Sequence, residues 1–366
     1  MNNKLPLIEY VSSLFPNVDL SKTLIIACQH ILMPQYAMFQ SFVNRGLKPS
    51  NTFLLGKCYS TDNKALSLFI ESGVNVHKAS AYFDSHKSYD EQYQGYIEEF
   101  LTNISNTLNF SKYDKVILLD DGGFLLDFAN KYLKKVKNVI GVEQTSSGLD
   151  RINNSNLNFP VINVARSNAK LVYETPLIVN QFMKNINYEL KQLKRTPKKV
   201  LVIGKGSIGK EVVDRLRNKY EVQAFDILTS ESDISELRKH IKYFDLIIGC
   251  TGKYSLPLQL YNKLKKNAIL ASVSSSDREF FAHYLRFLAE QYDKCHNNLK
   301  IRDIILLNSG FPVTFTKHSI GASGKDMQIT MSLLYSAVCI GATKSYPNEL
   351  VDLDSWIQNV IINKFQ

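Results

Sequence analysis

Residues 198–226, KKVLVIGKGSIGKEVVDRLRNKYEVQAFD, run strand, glycine turn, helix, strand and acid in that order. The apolar segment 200–203 has the length and composition of a buried strand. Gly204, Gly206 and Gly209 then give G-x-G-x-x-G where strand should pass into helix. The first glycine permits the tight turn, the second a close backbone approach to a pyrophosphate, and the third close packing of helix on strand. Free N–H groups at Ser207 and Ile208 open the helix, and the positive end of its dipole favours a phosphate there. The next strand, 222–225, ends at Asp226. An acid at that place accepts hydrogen bonds from both ribose hydroxyls of an adenosine and repels a 2′-phosphate, which favours NAD over NADP. A kinase glycine loop does not fit, because no H-R-D-x-x-x-x-N or D-F-G follows.

The rest of the chain agrees with an α/β fold of two domains. Strand-like runs at 23–28, 52–55, 74–78, 116–119, 139–142 and 161–164 are separated by helical patterns at 34–45, 63–72 and 89–108. Such alternation implies a parallel sheet. A connecting helix is expected over 175–193. The polar, proline-bearing KRTPKK at 194–199 marks a domain boundary. Later strands are expected at 246–249, 268–273 and 304–307, and one strong helical stretch at 327–340. The expected division is 1–195, a substrate-binding α/β domain; 196–322, a Rossmann-type NAD domain; and 323–366, a helical return that completes the first.

At 366 residues the chain is long enough for two sizeable cores. With 45% hydrophobic and 21% charged residues it reads as globular, and no apolar run has the length of a bilayer span. The N-terminus lacks the order of a signal peptide and reads as a short amphipathic helix. Cys28, Cys58, Cys250, Cys295 and Cys339 are scattered and unpaired in motif. That usage fits a reducing cytoplasm and neither a zinc site nor a disulfide scaffold. The net charge of +10 comes from lysines spread along the chain. It reads first as a solvated surface, with a basic patch for nucleic acid as the weaker reading, motivated by charge alone.

Several motifs, taken in order, resemble the adenosylhomocysteinase family. They are Ala27-Cys28-Gln29-His30, Tyr59-Ser60-Thr61, Asp120-Asp121-Gly122-Gly123, Glu143-Gln144-Thr145-Ser146-Ser147-Gly148, Lys170, the glycine fingerprint and Cys250-Thr251-Gly252. The resemblance spans about residues 20–330. It implies tightly held NAD, which oxidises a ribose hydroxyl of the substrate and later returns the hydride. It also implies catalytic roles for Asp121, Lys170 and Glu143, with Lys170 handling the hydroxyl proton. Substrate contacts would come from His30, Gln144 and Glu174. Cofactor contacts would come from Thr251, Gly252, Ser274 and Thr314, beside Gly204, Gly206, Ser207, Ile208, Gly209 and Asp226. A homo-oligomer, dimer or tetramer, is implied as well.

The chain departs from that family where hydrolysis is done. Gln144 stands for a glutamate, Glu174-Thr175 for Asp-Asn, Val179 for a cysteine, Ser275 for a histidine and Thr314 for an asparagine. The expected function is therefore NAD-dependent hydride abstraction from a hydroxyl carbon of a nucleoside-like or other small hydroxy substrate. The alternative is a catalytically silent relative that binds NAD or a nucleoside and regulates a partner. His318 is a candidate to replace the lost histidine, with a surface position as the simpler expectation.

Overall fold

The structure, a computed structural model, describes residues 5–153, 156–226, 231–289, 294–321 and 324–366. The expected boundary between 322 and 323 lies outside the described residues. In chain order the elements begin α1 (Pro6–Ser13), β1 (Thr23–Cys28), α2 (Met33–Val43), β2 (Thr52–Leu55), α3 (Asn63–Glu71) and β3 (Asn75–Val76). Next come α4 (Tyr89–Thr107), β4 (Lys115–Asp120), α5 (Phe124–Tyr132), β5 (Val139–Glu143), α6 (Ser146–Ile152), β6 (Val161–Asn163) and α7 (Asn168–Gln192). Then follow β7 (Lys199–Ile203), α8 (Ser207–Arg217), β8 (Glu221–Phe225), α9 (Glu231–His240), β9 (Leu246–Gly249), β10 (Ala268–Ser272) and α10 (Ala282–Ala289). The last are β11 (Leu299–Ile301), β12 (Ile304–Leu306), β13 (Phe315–Thr316), β14 (Ser319–Ile320), α11 (Gly324–Thr343), β15 (Leu350–Asp352) and α12 (Ser355–Phe365).

The chain divides into two α/β units. The first comprises residues 1–82, 94–174 and 323–366. Its sheet has the order β15-β6-β5-β4-β1-β2-β3, and every pairing is parallel. Strands β1, β4 and β5 are buried almost throughout, as a sheet covered on both faces requires. The order reverses between β1 and β4, and such a switch point opens a crevice at the carboxyl ends of the strands. Helix α11 covers one face: a Cβ on Gly341 would lie 3.3–3.5 Å from Ile140, Ile117 and Ile162. Strand β15 was not legible in the tail; it adds an edge by pairing Asp352 with Asn163.

The second unit comprises residues 83–93 and 175–322. Its sheet has the order β11-β12-β10-β9-β7-β8, parallel except for β11 against β12. The switch point lies between β7 and β9. The division differs from the expected one in two places. Val179, Phe182, Ile186 and Leu190 of α7 share a core with Val200, Val202 and Ile248, so this stretch belongs to the second unit. The division falls at 174/175, beside Pro176, which has no N–H to continue the helix ladder. Residues 83–93 also belong here, because the buried Arg286 donates to Ser85 O (3.0 Å) and Lys87 O (2.8 Å). Among the described residues no helix is long and apolar enough to cross a membrane.

Candidate active site

Register builds the first constellation. Cys28 lies opposite Asp120, and Asp120 opposite Glu143. One residue further along, Gln29, Asp121 and Gln144 stand at a common level. Alternation turns their side chains to the face lined by Ile25, Ala27, Ile117, Leu119, Ile140 and Val142, which α11 covers. Asp121 receives Lys57 Nζ, Gln144 Nε2 and His30 Nε2, the last at 3.3 Å. His30 Nδ1 meets Ser60 Oγ at 2.5 Å. Lys170, on the first turn of α7, donates to Gln144 O and pairs with Glu174 at 3.2 Å. Glu174 in turn accepts from Thr330 Oγ1 at 3.2 Å. Five of the six substrate-side and catalytic residues expected from sequence, Asp121, Lys170, His30, Gln144 and Glu174, thus lie in one bonded chain.

Glu143 is placed differently. It alternates to the opposite face and is fully buried. Its Oε1 accepts from Gly122 N (3.1 Å), Thr145 N (2.7 Å) and Thr145 Oγ1 (2.7 Å), and its Oε2 from Gly123 N (2.9 Å). Any Cβ on Gly148 would run into its carboxyl group. This carboxylate ties the D-D-G-G turn to the T-S-S-G turn. Asp120, beside it, accepts from Asp121 N (2.8 Å) and Leu126 N (3.1 Å). Burial, with the charge of Asp121, pushes Asp120 up to about 7, and burial, with the charges of Asp120 and Asp121, pushes Glu143 up to about 8. Asp121 is the reverse. Burial would raise it, but the charges of Lys57 and His30 outweigh that and hold it well below the carboxylate range. Burial also opposes the Lys57 charge, yet Asp121, Tyr59 and Asp120 together hold the ammonium above its ordinary range.

The second constellation is the glycine turn at the switch point of the other sheet. Gly204 has φ +108°, and a Cβ there would lie 2.7 Å from the Cys250 backbone. A Cβ on Gly209 would strike Gly204 O, so only glycine lets α8 approach β7. A Cβ on Gly206 would meet no protein atom within 4 Å, so protein packing does not demand that glycine. Gly206 caps α8 with no side-chain hydrogen bond, leaving the helix's first amides, at Ser207 and Ile208, to other acceptors. Asp226 follows β8 and accepts from Lys205 N at 3.3 Å.

Thr251, Ser274 and Thr314 also reach one level. Ile203, Ser272 and Gly249 are in register, and Ser272 bridges Pro312. Thr251 and Gly252 are already committed, however. Glu279, fully buried, accepts from Thr251 N (2.7 Å), Thr251 Oγ1 (2.8 Å) and Gly252 N (2.7 Å). Gly252 N also meets Ser274 Oγ at 3.0 Å. Thr314 sits in a loop fastened by Asn185 Nδ2 to Val313 O (2.8 Å) and Thr314 O (3.3 Å). His318 is exposed beside Tyr188, with ring centroids 4.6 Å apart.

Sequence reasoning missed Lys57 and Glu279. Lys57 stands two residues before the quoted Tyr59 motif, directly after Gly56 and two residues past strand β2. A lysine at the carboxyl end of a buried strand was the available signal. Glu279 lies just beyond the serine run 274–276 and had no motif to mark it. Among the described residues no group of three His, Cys, Asp or Glu side chains is set to hold a metal ion.

No family model matches the chain. An uncharacterized protein of Mycobacterium tuberculosis is 37% identical over 325 residues, covering 87% of this chain and 64% of that protein. The chain thus spans less than two thirds of that relative's length. Adenosylhomocysteinase of Acinetobacter baylyi is 22% identical over 292 residues, covering 72% of this chain and 60% of that enzyme. The sequence similarity to adenosylhomocysteinase is distant. Among solved structures, D-lactate dehydrogenase of Escherichia coli overlaps 89% of this chain and 99% of its own, with TM-score 0.40 and 13% identity. Overlap at that level adds nothing to the fold derived from the strand order.

Proposed function

We propose that this chain is an NAD-dependent enzyme that removes hydride from a hydroxyl-bearing carbon of an uncharged, nucleoside-like substrate. The observation that carries the reading is the glycine turn at the switch point of the second sheet. Gly204 and Gly209 are required by packing, whereas Gly206 faces no protein atom, as a backbone approached by a pyrophosphate would. Ser207 and Ile208 offer amides to the phosphates, and Asp226 offers its carboxylate to the adenosine ribose. Bound NAD supplies a hydride acceptor. Thr251 and Gly252 serve through Glu279, which fixes their loop, rather than by donating their own amides.

The chain's own residues supply the rest. Lys170, as the amine, takes the proton of the substrate hydroxyl as hydride leaves the carbon, and Glu174 Oε2, 3.2 Å from Nζ, orients it. His30 with Asp121 forms a second acid–base pair. Glu143 is a positioning residue that shapes the turn presenting Asp121. Both buried lysines of this constellation are already paired, Lys57 with Asp121 and Lys170 with Glu174, which disfavours a substrate carboxylate. Among the described residues, the buried side-chain atoms without partners include the carboxamide atoms of Gln29 and Gln35, Gln144 Oε1 and the hydroxyls of Ser167 and Ser332. Neutral donors and acceptors suit hydroxyl and heterocycle edges.

The test is absorbance of reduced nicotinamide on mixing protein and NAD with nucleosides, polyols and hydroxy acids. The reading expects a signal with uncharged hydroxyl compounds that falls at least about a hundredfold in Lys170→Met. Silence across the panel would favour the regulatory relative, and a signal with hydroxy acids alone would overturn the substrate class.

A further inference from the structure

Lys57 is the least expected member of the acid–base constellation. Gly56 delivers it: a Cβ at Gly56 would lie 2.9 Å from Ile31 Cγ1 and 3.0 Å from Ser80 Cβ, so the chain passes hard against both. The side chain that follows is 5% exposed and ends on Asp121, donating to its carboxylate and to its main-chain oxygen at 2.7 Å. The same residue's carbonyl accepts from Ser60 N (2.8 Å), Thr61 Oγ1 (3.0 Å) and Ser60 Oγ (3.4 Å). Lys57 therefore backs both partners of the His30 ring. Through Ser60 it reaches Nδ1, and through Asp121 it reaches Nε2.

An isolated Asp–His pair tends to lock its imidazole in the charged form, because the carboxylate favours the cation. Here the carboxylate also holds the Lys57 ammonium. We propose that Lys57 is a positioning residue that neutralises Asp121 and so leaves His30, rather than Asp121, as the group that exchanges protons at this site. The inference rests on the acid–base reading above, but not on NAD. Among the described residues, the charged or titratable groups around His30 include Asp121 from the end of β4, Tyr59, whose ring lies 6.3 Å away edge-on, and, bonded to Asp121, Lys57 from beyond the end of β2. Asp120 and Glu143 stand behind Asp121 on the opposite face of the sheet. Asp121 is held ionised by its three donors, so it is a fixed acceptor. His30 is the member with residual access to solvent, its side chain 13% exposed.

The test is proton NMR titration of the imidazoles in the full chain without added cofactor, with His30 assigned by the signal lost in His30→Gln. In Lys57→Met the His30 midpoint should rise by about one pH unit relative to the parent, and in Lys57→Arg it should stay within a few tenths. Lys57→Met leaves a buried carboxylate unpaired and is prone to misfold. The same lysine charge is therefore also read between Asp121→Asn and Lys57→Met/Asp121→Asn, where no carboxylate is stranded. The double variant should titrate about one unit above the single. A midpoint that does not move in either comparison overturns the proposal. Because no nucleotide is present, that outcome is independent of whether the second unit binds NAD.

Discussion

At the residue scale, charge decides which acids do chemistry. Asp120, Asp121 and Glu143 sit within two strand ends, yet only Asp121 has a cation bonded to it. The other two are raised, to about 7 and about 8, from ordinary values of 3.8 and 4.5. A raised carboxylate stabilises the fold fully below its unfolded value, and that stability is lost as pH rises through the folded value. Between pH 5 and 8 the parent should lose stability relative to Asp120→Asn, by up to about 1.4 kcal/mol per pH unit for each group titrating. Urea unfolding of both proteins across that range checks this. Parallel curves would show that Asp120 does not titrate there. The motif residues His30, Asp121, Gln144 and Lys170 were legible because they sit at strand ends in a recognisable order. Lys57 was not, since a single lysine past a short strand normally faces water.

At the scale of elements, the glycine turn was legible because backbone geometry forces its residues. Gly204 needs its positive φ, and Gly209 must let β7 and α8 touch. The extent of α7 was not. The polar VARSNAK, residues 164–170, leads into its first turn, and the unit division lies beside Pro176 rather than at the later proline of KRTPKK. The place of 83–93 was also hidden, because its ties are long-range. Arg286 and Asp277 form a fully buried ion pair at 2.8 Å. Arg286 holds the carbonyls of Ser85 and Lys87, while Asp277 accepts Tyr89 N at 3.1 Å. Arg286→Met strands the Asp277 charge and should cost about 3–5 kcal/mol. Hydrogen exchange should then show lost protection in residues 85–93 before the second sheet opens. Unchanged protection there would mean that the segment is held by other contacts, chiefly Phe83 and Tyr89 on Phe311.

At the scale of the whole molecule, two parallel sheets each reverse strand order once, and each candidate constellation lies at such a reversal. Alternating strands and helices made the α/β class legible, since buried parallel strands read as short apolar runs. The late returns were less so. The two- and three-residue strands β13, β14 and β15 are too short to carry a period, and β11 pairs antiparallel through a tight hairpin. The 22% identity to adenosylhomocysteinase runs over 72% of this chain, more than either unit alone. The account's central claim is that the second unit carries NAD. The direct measurement is calorimetric titration of NAD and NADP into purified protein stripped of nucleotide. Saturable binding of NAD, with NADP at least about tenfold weaker because Asp226 repels a 2′-phosphate, is the predicted result. Absence of any NAD binding would contradict it.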